Sequence, residues 1–162
     1  MSEPTSNAGK RTGLAVALAA AIAVPAEGLR QWAYYDPPGI LTVCRGHTGP
    51  DVEKNRKYSL QECDALMSQD MRDAVQTVDR CVPGLPVEVL AAFGDAVYNI
   101  GPTVACDPSK STAARLLQDG QLRGACEQLP RWDKARVAGV MVSLPGLTKR
   151  RAKERDLCLD GV

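Results

Sequence analysis

The sequence predicts an α+β, two-lobed chain: a small β-hairpin lobe and a larger all-helical lobe joined by a long helix. Three observations lead there. Residues 32–47 hold a Pro-Pro-Gly turn between segments able to pair as strands. Residues 59–80 open on Ser-Leu-Gln-Glu, a capping box, and then repeat apolar residues at helical spacing. Beyond residue 80, apolar stretches broken by Gly and Pro read as a series of helices.

At 162 residues the chain is large enough for one domain with two lobes and a substantial core. With one Phe and two Trp, that core must be built from Leu, Val, Ala and Ile. A net charge of +1 argues against nucleic acid as a partner. Six cysteines (Cys44, Cys63, Cys81, Cys106, Cys126 and Cys158) are an even number and contain no C-x-x-C spacing. With a single histidine, a zinc site would need scattered cysteines, so no metal and no cofactor is expected. Disulfides are favoured over buried thiols, which implies an oxidising compartment, and fifteen pairings are open.

In chain order, residues 1–12 are polar and expected to lack regular structure. Residues 13–26, GLAVALAAAIAVPA, are uncharged, Ala-rich and preceded by Lys10-Arg11. The run is shorter than the ~20 residues that span a bilayer comfortably. Its basic flank and Val-Pro-Ala end resemble a cleavable leader. Cleavage there would leave Glu27 as the terminus, without the helix that should hold it. A weak, releasable membrane anchor is the better reading, because Ala and Gly contribute little transfer energy. An ordinary core helix is the third reading, since a released anchor must pack somewhere.

The stretch from residue 27 to 49 carries the candidate chemistry. Residues before proline leave helical geometry, so Asp36 before Pro37-Pro38-Gly39 starts a hairpin turn. If Asp36 pairs with Ile40, Tyr35 faces Leu41 and Tyr34 faces Thr42. Tyr34, Asp36 and Thr42 then share a face, with Asp36 diagonal to Thr42 at roughly 7–8 Å. Glu27 would face them across a gap. Two carboxylates across a gap suit glycosidic cleavage: one donates a proton to the leaving oxygen and the other handles water or the developing cation.

Farther on, residues 51–57 form a charged loop and the capped helix follows over residues 59–80. Residues 81–86 break the chain, and residues 87–100 are apolar nearly all round, a buried helix stopped by Gly101-Pro102. Tyr98 and Asn99 at its end either line the cleft or pack and cap. Ser111 caps a helix to Gln118, with Gly120 as its stop, and residues 121–129 form another ended by Pro130. Trp132 is assigned to the core. Residues 137–144 are a short apolar stretch, Pro145-Gly146 turns the chain, and residues 148–157 are a basic final helix. Arg150 and Arg151 are expected on a solvated face, although either could reach Glu27 or the polymer.

The order E-G-L-R, Y-x-D, G-I-x-T and G-H resembles the catalytic segment of the T-even phage lysozyme family, glycoside hydrolase family 24. Glu27, Asp36 and Thr42 fall on that family's catalytic Glu, Asp and Thr without insertion. Residues 65–70 (ALMSQD) are similar to the segment whose Asp pairs with the family histidine, here Asp70 with His47, a structural role. Residues 97–101 (VYNIG) resemble the end of that family's central helix at the cleft floor, and Arg150-Arg151 with Glu154-Arg155 and Cys158 is similar to the C-terminal helix of lambdoid endolysins, so the resemblance spans about residues 26–158. One departure is Cys44-Arg45 before Gly46-His47, where the T-even protein has a second glycine.

The resemblance implies a phage- or prophage-encoded muramidase that hydrolyses the β-1,4 bond between N-acetylmuramic acid and N-acetylglucosamine in peptidoglycan. Glu27 would be the general acid, kept protonated by partial burial against the apolar segment. Asp36 would stay ionised, with Thr42 helping it position water. Tyr34, Gly46, Tyr98 and Asn99 are the expected substrate contacts. The resemblance, with chain proximity, favours disulfides 44–63, 81–106 and 126–158, and it leans toward inversion. It also implies a signal-anchor-release life cycle: residues 1–26 sit transiently in the host inner membrane, and a catalytic domain of residues 27–162 (β lobe about 32–57, helical lobe about 81–158) acts as a periplasmic monomer after release. The alternatives are a lytic transglycosylase, which needs one acid/base group, and a non-catalytic peptidoglycan-binding lysis regulator. The complete Glu, Asp and Thr set argues against both.

Overall fold

The computed structural model describes residues 7–37 and 39–162. The expectation for residues 1–6, and the share of Pro38 in the hairpin turn, lie outside the described residues. Helix α1 (Asn7–Ala26) begins six residues before the uncharged run, so residues 7–12 are helical where irregular structure was expected. The polar first turns have partners: Arg11 forms an ion pair with Asp79 at 2.9 Å and its guanidinium donates to the Leu85 carbonyl. The buried stripe Ala15, Val16, Ala19, Ile22, Ala23 follows helical spacing. It packs α1 into the core of the helical lobe.

Strands β1 (Arg30–Tyr35), β2 (Leu41–Cys44) and β3 (His47–Thr48) form an antiparallel sheet in that order. Tyr34 pairs with Thr42 and Tyr35 with Leu41, the register the turn chemistry predicts. Asp36 N–H donates to the Ile40 carbonyl at 3.0 Å, and Gly39 takes φ +85° to close the loop. A bulge lies between Arg30 and Tyr34, and β3 is an addition to the expected hairpin. Val43, Cys44, Val52, Tyr58 and Cys63 form this lobe's small core.

Helix α2 (Leu60–Cys81) links the lobes, and its capping box is complete: Ser59 Oγ accepts from Glu62 N–H while Glu62 accepts from Ser59 N–H at 2.7 Å. Helix α3 (Val87–Ile100) is buried along most of its length and packs against α1 and α2. At Gly94 a Cβ would stand 2.6 Å from Val75 Cγ2, so only glycine permits this approach of α3 to α2. Short helices α4 (Thr103–Cys106), α5 (Thr112–Gln118) and α6 (Leu122–Gln128) follow, with Ser111 capping α5. Trp132 ends a 3₁₀ turn and packs half-buried on the core.

The larger lobe is helical with one addition. Residues 134–143 form a hairpin, β4 (Lys134–Val137) and β5 (Val140–Ser143), where only a short apolar stretch was expected. Its two-residue turn places Ala138 at φ +49° and Gly139 at φ +82°, the backbone that two-residue hairpins require. Helix α7 (Pro145–Asp160) starts three residues earlier than expected. Pro145 sits at its first position, where a missing N–H costs nothing, so it begins the helix instead of turning the chain. Disulfides join Cys44 to Cys63, Cys81 to Cys106 and Cys126 to Cys158.

Candidate active site

Glu27 stands one residue beyond α1, and its N–H still bonds the Ala23 carbonyl at 2.9 Å. The last turn of α1 therefore fixes its backbone. Its side chain is partly buried and accepts from Arg150 Nη1 at 2.6 Å. Arg150, expected in solvent, is buried on α7 and gives its other two nitrogens to Asp95 of α3, at 2.9 and 2.8 Å. Asp95 is fully buried, and a charge in that position requires such a fork-shaped partner. The corrected picture is a buried Asp95–Arg150 pair that orients Glu27 from beneath.

Arg151, also expected in solvent, is fully buried and pairs with Glu154 one turn on. Burial pushes the Glu154 carboxyl well above the usual carboxylate range; the neighbouring Asp95 adds to this and Arg151 opposes it. Glu154 Oε1 also lies 4.0 Å from Arg150 Nε, so the two buried pairs adjoin.

On the hairpin, Asp36 Oδ1 accepts from Ile40 N–H at 2.8 Å, which orients the carboxylate. Thr42 is buried; its hydroxyl lies 2.9 Å from the Ile40 carbonyl and 3.4 Å from Asp36 Oδ2. One hydroxyl proton serves the nearer carbonyl, leaving oxygen lone pairs and Asp36 Oδ2 to meet a water. Tyr34 is half-buried with the Arg30 guanidinium 4.2 Å above its ring.

The structure thus brings Asp36 and Thr42 together. Among the described residues Glu27 hydrogen-bonds neither, and faces instead the turn that follows β2. A Cβ on Gly46 (φ +87°) would lie 3.9 Å from Glu27 Oε2, so glycine leaves this side of the carboxyl open. Beside Glu27 is a cavity of about 520 Å³ lined in part by Asn99, Leu144, Leu147 and Arg150. Asn99 Oδ1 is buried without a hydrogen-bond partner. Tyr98, with Arg150 5.8 Å from its ring, donates to the Arg45 carbonyl at 2.8 Å and ties α3 to the sheet lobe. Burial, reinforced by the Glu27 charge, raises the Tyr98 phenol above its ordinary range and keeps that proton in place.

His47 lies between two carboxylates, Nδ1 at 2.7 Å from Asp70 and Nε2 at 3.0 Å from Asp51. The Asp51 contact was not anticipated. Asp95 was also missed, although its signal was present: it is the one acid among the otherwise apolar residues 89–97, and such a group demands a cation. Among the described residues no cluster of His, Cys, Asp or Glu could hold a metal ion.

A partly buried acid fixed by arginine, near a hairpin carrying an aspartate and a threonine in a two-lobed α+β fold, defines a glycan-cleaving hydrolase of the lysozyme class. The chain belongs to the phage lysozyme family, whose model matches residues 25–154. It is 38% identical over 136 residues to a SAR-endolysin of bacteriophage PS119, covering 83% of this chain and 77% of the relative. It is 35% identical over 136 residues to the SAR-endolysin of enterobacteria phage P21, covering 83% and 78%. The fold matches the crystal structure of the active form of P1 phage endolysin Lyz with a TM-score of 0.74 at 25% identity, covering 89% of this chain and 84% of that one.

Proposed function

We propose that this lysozyme is a phage endolysin that cleaves the N-acetylmuramic acid–N-acetylglucosamine bond of peptidoglycan, with Glu27, Asp36 and Thr42 as its catalytic residues. One observation carries the assignment: Glu27 is oriented by Arg150 at the edge of a large cavity, with its free side toward the turn after the strand that carries Thr42. Glu27 gives its proton to the glycosidic oxygen. Asp36 Oδ2 and the Thr42 hydroxyl hold water for the anomeric carbon, and the Asp36 charge offsets the developing cation. Asn99 accepts an N–H from a 2-acetamido group, which would satisfy its unpaired carbonyl. Gly46 and Tyr34 border the glycan, Tyr98 and the His47–Asp70 pair hold the lobes and hairpin, and the released enzyme works as a monomer.

Helix α1 is long and apolar enough to cross a membrane by length and composition. It supports an inner-membrane anchor (residues 1–26) that keeps the catalytic unit (residues 27–162) inactive until it is released to the periplasm. In the folded state α1 carries the backbone of Glu27, so a helix held in lipid cannot complete the site.

Mass spectrometry of peptidoglycan fragments tests the reaction. Reducing muramic ends support hydrolysis, anhydro-muramic ends would assign a lytic transglycosylase, and no new ends would leave only a binding protein.

A further inference from the structure

The cavity beside Glu27 carries cations that the proposed mechanism does not use. Lys149 and Lys153 both line it, one turn apart on α7. Both are exposed, and among the described residues neither enters a hydrogen bond or ion pair. Arg150 between them is committed, with all three of its nitrogens on Glu27 and Asp95. The lysines are therefore the uncommitted charges of the cavity. Like charges four residues apart on a helix repel, so the pair gains from an anion placed between them. Arg150 is matched by Glu27 and Asp95, so the two lysines carry the unmatched positive charge of the cavity. Beside Asn99 and Gly146, the lining includes Leu144, Leu147, Pro25 and Ala26, an apolar surface for the carbon skeleton that bears such an anion.

We propose that Lys149 and Lys153 form an anion subsite that binds a carboxylate on the muramoyl substituent of the glycan, next to the cleaved bond. The inference rests on the peptidoglycan reading of the site and makes the enzyme selective for carboxylate-bearing strands over neutral ones. Two groups supply that chemistry: the free carboxylates of the stem peptide, and the lactyl carboxylate exposed when the peptide is absent.

The test compares the Lys149→Gln/Lys153→Gln protein with the wild type on three purified substrates. These are native peptidoglycan, peptidoglycan with its carboxylates amidated, and glycan stripped of peptide by an amidase. On native material the variant should lose about 5- to 10-fold in kcat/KM, mostly through KM, as two partly exposed ion pairs would give. On amidated material the two proteins should be equal. A loss retained on the stripped glycan assigns the lactyl group, and a loss absent there assigns the peptide; both support a carboxylate ligand. Equal kcat/KM on native material, or an equal loss on the amidated one, overturns the proposal. If the wild type itself releases no muramic ends, the functional reading has failed, separately from this inference. An unchanged melting temperature of the variant keeps the comparison free of folding effects.

Discussion

Arg150 spends every donor nitrogen on a carboxylate, and its removal affects more than the acid it orients. Replacing it with alanine leaves Asp95 buried and unpaired. The Arg150→Ala protein should lose about 3–5 kcal/mol in urea unfolding as well as most of its lytic rate. The sequence left Arg150 reaching Glu27 open as the second reading, beside a solvated face, and did not anticipate its pairing with Asp95. Arg150 and Glu27 are 123 positions apart, and a run such as Lys-Arg-Arg-Ala-Lys-Glu-Arg reads as a solvated face. Asp95, the single charged residue among the otherwise apolar residues 89–97, was the clue that sequence did hold. His47 gives a second residue-level test. Burial pulls its pKa down, but hydrogen bonds and charge from Asp70 and Asp51 more than compensate and raise it above the ordinary histidine range. For Asp70, burial outweighs the histidine and raises its carboxyl, so the pair's contribution at mid-range pH belongs to the imidazolium. A histidine raised in the folded state stabilises fully below its unfolded pKa and loses that stabilisation as pH climbs through the folded one. The His47→Gln protein should therefore melt well below wild type near about pH 5.5, and the gap should narrow above about pH 7.5.

At the scale of elements, turn and cap chemistry were the most legible features. Pro37 and Gly39 fix the hairpin register, and Ser59 with Glu62 starts α2 at the expected residue. The β4–β5 hairpin escaped because its turn is Ala-Gly, with a non-glycine residue in a left-handed conformation, and its strands expose Val140 and Met141 rather than alternating. Helix α1 was legible as an apolar segment, with a packed core helix as one reading, but a stripe of alanines says little about what it meets. Ala15, Ala19 and Ala23 have no exposed surface in the structure. Substituting Ala19→Leu overfills that seam, at about 1–3 kcal/mol, while making the segment a better membrane span. The variant should stay longer in the membrane fraction and lyse cells later than wild type. Fractionation with a lysis time course measures both, and unchanged timing would separate anchor release from α1 packing.

At the scale of the whole molecule, three disulfides close separations of 19, 25 and 32 residues, one in the sheet lobe and two in the helical lobe. The chain-entropy account gives about 3 kcal/mol for each, a large share of the stability of a domain this size. Reduction should lower the melting temperature sharply in calorimetry, and a fully reduced protein with an unchanged transition would contradict that weight. The lobes are tied by α2 and by the Tyr98–Arg45 bond, so Asp36 on the hairpin and Glu27 belong to one frame. The two-lobed plan was legible because its linker helix is capped and periodic. The charge network beneath the cleft was not, because it joins α1, α3 and α7 through contacts no local pattern records. The central claim is that Glu27 is the proton donor, and turbidity loss of purified peptidoglycan with Glu27→Gln protein measures it most directly. The account predicts a folded protein with at least about a hundredfold lower rate; clearing at the wild-type rate would contradict it.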